Sequence, residues 1–294
     1  MAMNQGLLDH MATGNTTLCR CWLIQRKDGM VLGFTDHDID LSFNGVVFKA
    51  GTGLSAQALQ QTTGLSVDNT EALGALSDIG ISETDLKAGR FDGASIEVYL
   101  VNWKNLSQRD VQFQGSLGEV QSGGGGFSVE LRGSTDKLNQ PQGRVFARNC
   151  TAVLGNAACG VDLMSTAYRV ETDLVRIDSP TQLVFTGVSG FAAQHFERGR
   201  LTVLDGAAKD LFSMIKSDRV IGAERRVELW QELRGEIALG DRVRLQAGCD
   251  KKQTTCKNKF GNFANFRGFP HIPGEDWLTA YPRRGGANNG GSRY

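Results

Sequence analysis

The chain has 294 residues, room for two domains of ordinary size, and 37 glycines but only five prolines; that glycine excess, about an eighth against a usual roughly 7%, points to many tight turns and so to β structure. Lys and Arg number 32 and so do Asp and Glu, and a neutral chain has no long-range field to draw it to nucleic acid. The opening "MAMNQGLLDHMATGN" has no basic start followed by an apolar run, and no stretch approaches the roughly 18 apolar residues of a membrane helix. The expectation is a protein made and folded in a reducing cytoplasm, where six cysteines are better metal ligands than disulfides.

Taken in order, the first half reads as strands and hairpins. "CRCWLIQRKDGMVLGFT" is two apolar runs joined at Asp28-Gly29, and "IDLSFNGVVFKAG" repeats the plan at Asn44-Gly45. Both dipeptides supply the positive φ angles of a two-residue hairpin turn. "SETDLKAG" predicts a short helix, with Ser82 as cap, Asp85 three residues on and Gly89 as stop. "ASIEVYLVNW" and "RDVQFQGSLGEVQ" are further strands. The run Gly123 to Gly126 is a hairpin tip rather than a phosphate loop, since no Lys-Ser/Thr pair and no helix follow it.

"STDKLNQPQGRVFARNC" is a connection, placing a boundary near residue 140. Beyond it, "YRVETDLVRI", "TQLVFTG", "GRLTVLDG", "RRVELWQEL" and "DRVRLQAGC" are five strand candidates, with "AAKDLFSMI" the one helical candidate among them. The sequence therefore predicts a mainly β protein with few short helices: a β-rich domain over 1–140, a second over 141–282 with barrel or sandwich character, and a flexible tail over 283–294.

Cys150 and Cys159 precede the five-strand region, and Cys249 and Cys256 follow it. Four thiolates suit a structural zinc or an iron–sulfur cluster. Zinc pairs usually have two to four residues between ligands; here there are eight and six, and a cluster, being larger than one ion, tolerates longer excursions. Arg144, Arg148, Lys251, Lys252, Lys257 and Lys259 crowd the pairs, and their charge suits either centre. The four could also be small buried hydrophobes. Phe260, Phe263, Phe266 and Phe269 follow at a three-residue period that fits neither strand nor α-helix. They predict an irregular segment that keeps water from a metal centre, or an ordinary loop packed on a core.

Other candidates are weaker. "TDHDID" offers Asp36, His37, Asp38 and Asp40, but a metallohydrolase needs more His and Asp ligands, and acidic turn residues at a hairpin end are the simpler reading. Cys19 and Cys21 fall on one face of a strand as packed side chains. His195 and His271 stand alone. No Ser-His-Asp set, Cys-His pair or paired catalytic carboxylates can be assembled, so the chain does not read as an enzyme.

"FTDHD", "GCDK", the two cysteine pairs and "KFGNFANFRGFPHIPG" resemble the hub proteins at the tail tip of long-tailed phages and of gene transfer agents, similar in turn to the tail-tip protein L of phage lambda. The resemblance runs from about Thr17 to Trp277. It implies that Cys150, Cys159, Cys249 and Cys256 bind an iron–sulfur cluster, expected to be [4Fe-4S]. It also implies a homotrimeric, mainly β ring in the baseplate of the particle, joining the distal tail ring to the central, fibre-bearing tip protein. The rival readings are a tail-associated cell-wall hydrolase and a zinc-binding structural module.

Overall fold

The computed structural model describes residues 3–51, 55–56, 69–75, 82–123, 126–133 and 143–272. Trp277, the tail over 283–294 and the whole of the "STDKLNQPQ" stretch lie outside them. The chain divides into two compact units, one of residues 1–142 with 234–236, the other of 143–233 with 237–294.

The first unit opens with helix α1 (Gln5–Ala12), which the sequence reading passed over; the Asn4 side chain caps it by accepting from Leu7 N at 3.2 Å. The strands are β1 (Leu18–Gln25), β2 (Val31–Thr35), β3 (Leu41–Phe43), β4 (Val46–Lys49), β5 (Ser55–Ala56), β6 (Asn69–Ala75), β7 (Ser95–Asn102), β8 (Arg109–Gly123) and β9 (Gly126–Gly133), with α2 (Glu83–Lys87) before β7. They form one mixed sheet in the order β3-β4-β2-β1-β7-β8-β9-β6-β5. The β2–β4 pairing is parallel and the others are antiparallel.

Its centre is buried on both faces. Along β1, Trp22 and Ile24 join Ile96, Val98 and Leu131 in one core, while Cys19 and Cys21 join Phe48, Tyr99 and Val101 in another. Alternation of side chains along a strand produces this split. Cys19 and Cys21, 7% and 0% exposed, are packed side chains as expected.

Both hairpins form, with one difference. Asn44-Gly45 is a two-residue turn, with Phe43 opposite Val46 and φ of 52° and 77° at its two residues. At Asp28-Gly29 the loop takes one more residue. Arg26 N bonds Met30 O at 2.9 Å, leaving Lys27, Asp28 and Gly29 as a three-residue turn. Within that loop the Arg26 guanidinium pairs with Asp28. Helix α2 forms as read, with Ser82 Oγ accepting from Asp85 N at 3.1 Å. Pairing of β8 with β9 continues to Gly123 opposite Gly126.

The second unit contains a closed six-stranded barrel in the order β10-β11-β14-β13-β12-β15. Its strands are β10 (Arg169–Ser179), β11 (Gln182–Thr186), β12 (Arg200–Val203), β13 (Phe212–Ile221), β14 (Glu224–Leu229) and β15 (Arg242–Gln246). Leu174, Phe185, Leu201, Ile215, Val227 and Leu245 are among the residues that fill it. Closure removes the sheet edges that five strands would have left. The sixth strand, β13, is where a helix was expected: "AAKDLFSMI" turns at its start and then runs extended. Ser213 and Ile215 point inward, while the outward Phe212 and Met214 are apolar too. That hid the alternation a strand should display.

Within the barrel, Asp218 and Arg225 are 0% and 2% exposed, with Arg225 Nε 2.9 Å from Asp218 Oδ1 as an ion pair rather than an aligned hydrogen bond. Phe196 N donates to Asp218 Oδ2 at 2.9 Å, and Arg225 Nη2 donates to the carbonyls of Phe191 and Ala192 at 3.0 and 2.6 Å. The pair thereby fixes the 191–196 loop. No helix among the described residues is long and apolar enough to cross a membrane.

Candidate metal centre

The four cysteines expected to act together come from four places in the second unit. Cys150 lies in the coil entering it, and Cys159 sits in a turn whose Asn156 accepts from Cys159 N through both its carbonyl and Oδ1, at 3.0 and 2.9 Å. Cys249 lies three residues beyond the end of β15, and Cys256 lies on α3 (Gln253–Asn258), a short helix in what the sequence reading took for loop. The structure brings these places together. Cys150 N donates to Lys251 O at 2.9 Å, joining the first pair to the second. All four cysteines line one cavity, shared with Phe260 and Asn262.

The barrel carries this segment on two glycines. A Cβ on Gly248 would lie 1.9 Å from Glu197 O and 2.3 Å from Gly199 N, and one on Gly199 would lie 2.0 Å from Gln246 O. Only glycine lets the strand leaving β15 pass the 196–199 loop at this distance. Lys259 Nζ closes the same junction, donating to His195 O at 2.6 Å and Gly248 O at 2.7 Å. His195 packs there with a buried Nε2 that has no partner among the described residues. Burial, then the charges of Lys259 and Arg225, lower its pKa to about 4.

Several N–H groups aim at the sulfurs. Lys251 N is 3.4 Å from Cys249 Sγ, Arg267 N is 3.4 Å from Cys150 Sγ, and Asn262 Nδ2 is 3.8 Å from Cys159 Sγ. Lys251 reaches its position with a φ of 65°, a left-handed conformation uncommon for a residue with a side chain and often found at functional sites. Burial raises the pKa of Cys249, against the Lys251 N–H and charge that lower it. Burial also raises that of Cys256, helped by repulsion from Cys150, Cys249 and Cys159. Cys249 and Cys256, both raised by burial, need a counter-charge to ionise, and a metal centre would supply it.

The chemistry of the donor set fits an iron–sulfur cluster, for which four cysteine thiolates are the usual ligands. Among the described residues, no three or more His, Cys, Asp or Glu side chains converge closely enough to hold a metal ion. The thiols share a cavity without converging on a point.

The other expected features divide. Of the phenylalanine row, Phe260 is buried against the site, where it packs on Tyr168 at 5.2 Å between ring centroids. Phe263 is exposed and stacks with Phe266, and Phe269 turns away to Phe146. The basic residues serve mainly as clamps on carbonyls. Lys251 Nζ bonds Ala152 O, Arg148 Nε bonds Ile272 O and Arg144 Nη2 bonds Arg267 O. "TDHDID" is a built loop. Asp36 accepts from Arg20 N at 2.7 Å, His37 Nδ1 lies 2.7 Å from Asp38, and Asp40 accepts from Ala50 N and Lys49. His271 is exposed. Asn262 went unnoticed in the sequence, although it stands inside the Phe-Gly-Asn motif.

Comparison with known proteins agrees with the fold. The family model described as baseplate hub protein, N-terminal attachment domain, matches residues 4–162, more than half of the chain. The chain belongs to the baseplate hub protein family. A second model, phage conserved hypothetical protein BR0599, matches residues 194–276, the stretch that holds most of the barrel together with Cys249 and Cys256. Among solved structures, a chain of the virion of a native gene transfer agent particle is 51% identical, with a TM-score of 0.92 over 99% of this chain and 100% of that one. No curated protein matched.

Proposed function

We propose that this hub protein is a structural component of the tail tip of a phage-like particle, virion or gene transfer agent. It forms a homotrimeric ring between the distal tail ring and the central tip protein. Cys150, Cys159, Cys249 and Cys256 hold an iron–sulfur cluster of the [4Fe-4S] type that staples the second unit. The observation that carries the metal reading is that four separate places in the chain deliver four thiols to one cavity. The spacing within the pairs, eight and six residues between ligands, favours a cluster over a single zinc ion. Family membership and the gene transfer agent likeness support the particle role.

When bound, the cluster supplies a rigid cross-link among four thiolates. The chain's own residues prepare for it. The turn at Asn156 presents Cys159, α3 presents Cys256, and the strand exit past Gly248 delivers Cys249. Cys150 and Cys256 enclose nearly the whole barrel between them, and fixing the ends of such a long loop restricts the unfolded chain as a disulfide does. A staple of this kind works in a reducing compartment and needs no redox partner.

The test is anaerobic purification of the full chain, followed by iron, acid-labile sulfide and zinc analysis with a visible spectrum. Brown protein with iron and sulfide is expected; colourless protein with stoichiometric zinc would falsify the cluster.

A further inference from the structure

Asn262 spends every polar atom it has on holding the cysteine loops together. Its Nδ2 donates to Cys159 O at 2.6 Å and faces Cys159 Sγ at 3.8 Å. Its backbone N donates to Cys256 O at 3.0 Å, and in the metal-free thiol form its carbonyl accepts from Cys256 Sγ at 3.3 Å. Its remaining atom, Oδ1, accepts from Asn265 Nδ2 at 2.7 Å. That last bond fixes which end of the amide meets Cys159: with Oδ1 taken by a donor, Nδ2 must point at the cysteine.

We propose that Asn262 is a positioning residue of the metal centre, one that locks Cys159 to Cys256 and tunes the cluster by donating an N–H to the Cys159 sulfur. This rests on the cluster reading above. Few side chains meet the requirement, which is a donor and an acceptor on one short planar group. Aspartate keeps the acceptor and loses the donor, serine lacks the second atom, and glutamine overshoots by a methylene. The role is also separable by mutation. The N–H groups facing Cys150 and Cys249 belong to the backbones of Arg267 and Lys251, which no side-chain change removes, whereas the one facing Cys159 belongs to a side chain. Hydrogen bonds to the sulfurs are among the determinants of a cluster's reduction potential. Such a donor stabilises the more negative, reduced cluster and so raises the potential. Loss of the partners that orient metal ligands typically costs about 10–100-fold in metal affinity.

The experiment compares wild type, Asn262→Asp and Asn265→Ala as full chains purified anaerobically, with circular dichroism confirming an intact fold. Iron and sulfide content, iron release to a ferrous chelator, the visible spectrum and the midpoint potential are read on each. Asn262→Asp should bind iron about 10–100-fold less tightly and show a lower potential, because a carboxylate replaces an N–H beside the sulfur. Asn265→Ala, which leaves Asn262 in place but frees its amide to flip, should move both quantities the same way and less far. A folded, loaded Asn262→Asp with wild-type iron release and wild-type potential would overturn the role of Asn262 and leave the cluster standing. Wild-type protein without iron or sulfide would overturn the cluster and this role together. Should Asn262→Asp fail to fold, Asn265→Ala decides on the same readouts, and a wild-type potential there counts against the proposal.

Discussion

Asp218 and Arg225 are a buried ion pair whose Asp218 Oδ2 and Arg225 Nη2 are hydrogen-bonded, while Asp218 Oδ1, Arg225 Nε and Arg225 Nη1 make no aligned hydrogen bond among the described residues. Removing one partner strands the other. Asp218→Ala should destabilise the barrel by about 3–5 kcal/mol, whereas replacing both residues with apolar ones of similar volume should cost much less; urea unfolding of the two variants separates the cases. At the thiols, Cys249→Ser should remove or destabilise the cluster and loosen the second unit, by an amount comparable with losing a disulfide, about 2–5 kcal/mol. Cys21→Ser, in the first unit, should leave iron content unchanged. Equal iron in both variants would show that the ligand assignment is wrong. The cysteines were legible in the sequence because their spacing is unusual and their residue type is scarce. Asn262 was not, because asparagine in a Gly- and Asn-rich segment looks like turn chemistry until its partners are seen. The phenylalanine row misled in part: an even spacing in irregular backbone does not give a common direction, and Phe260 alone of the four is buried at the site.

At the scale of elements, the strands with clean alternation were read correctly, and the errors have specific causes. Strand β13 was mistaken for a helix because its outward face carries Phe212 and Met214, and helix α3 was missed because six residues are too few to show a period. The junction between β15 and the cysteine segment was invisible, since nothing in "QAGCDK" reveals that Gly248 touches the 196–199 loop. Gly248→Ala should therefore cost at least the roughly 1–3 kcal/mol of ordinary overpacking, and it should lower iron retention as well as the melting temperature.

The barrel also carries a pH-dependent link. Arg176 of β10 grips Glu224 of β14 with two hydrogen bonds, at 2.8 and 3.1 Å, across the intervening β11. With help from Arg226, this lowers the Glu224 pKa from 4.5 to about 2. Because folding depresses this carboxyl, its contribution is complete above about pH 4.5 and fades as the pH falls toward about 2. Urea midpoints of wild type and Glu224→Gln should differ most above that range and converge at its acid end. A gap that widens on acidification would contradict the assignment.

For the molecule as a whole, two β-rich units and family membership put the chain among proteins that work by assembly. The barrel protects its own strands by closure, while the nine-stranded sheet ends in β3 and β5. Sheet edges in a repeated chain are commonly managed by symmetric contact or by cover. The sequence disclosed the β class and the hub resemblance, through local motifs that survive in a single chain. It could not disclose the closed barrel, because closure depends on β10 meeting β15 across most of the second unit. The central claim is a trimeric tail-tip hub stapled by a cluster, and electron imaging of whole particles at side-chain resolution tests it most directly. The account predicts three copies around the tail axis, each with strong density bridging Cys150, Cys159, Cys249 and Cys256. Copies in the capsid or along the tube, or tail-tip copies whose four thiols surround no such density, would contradict it.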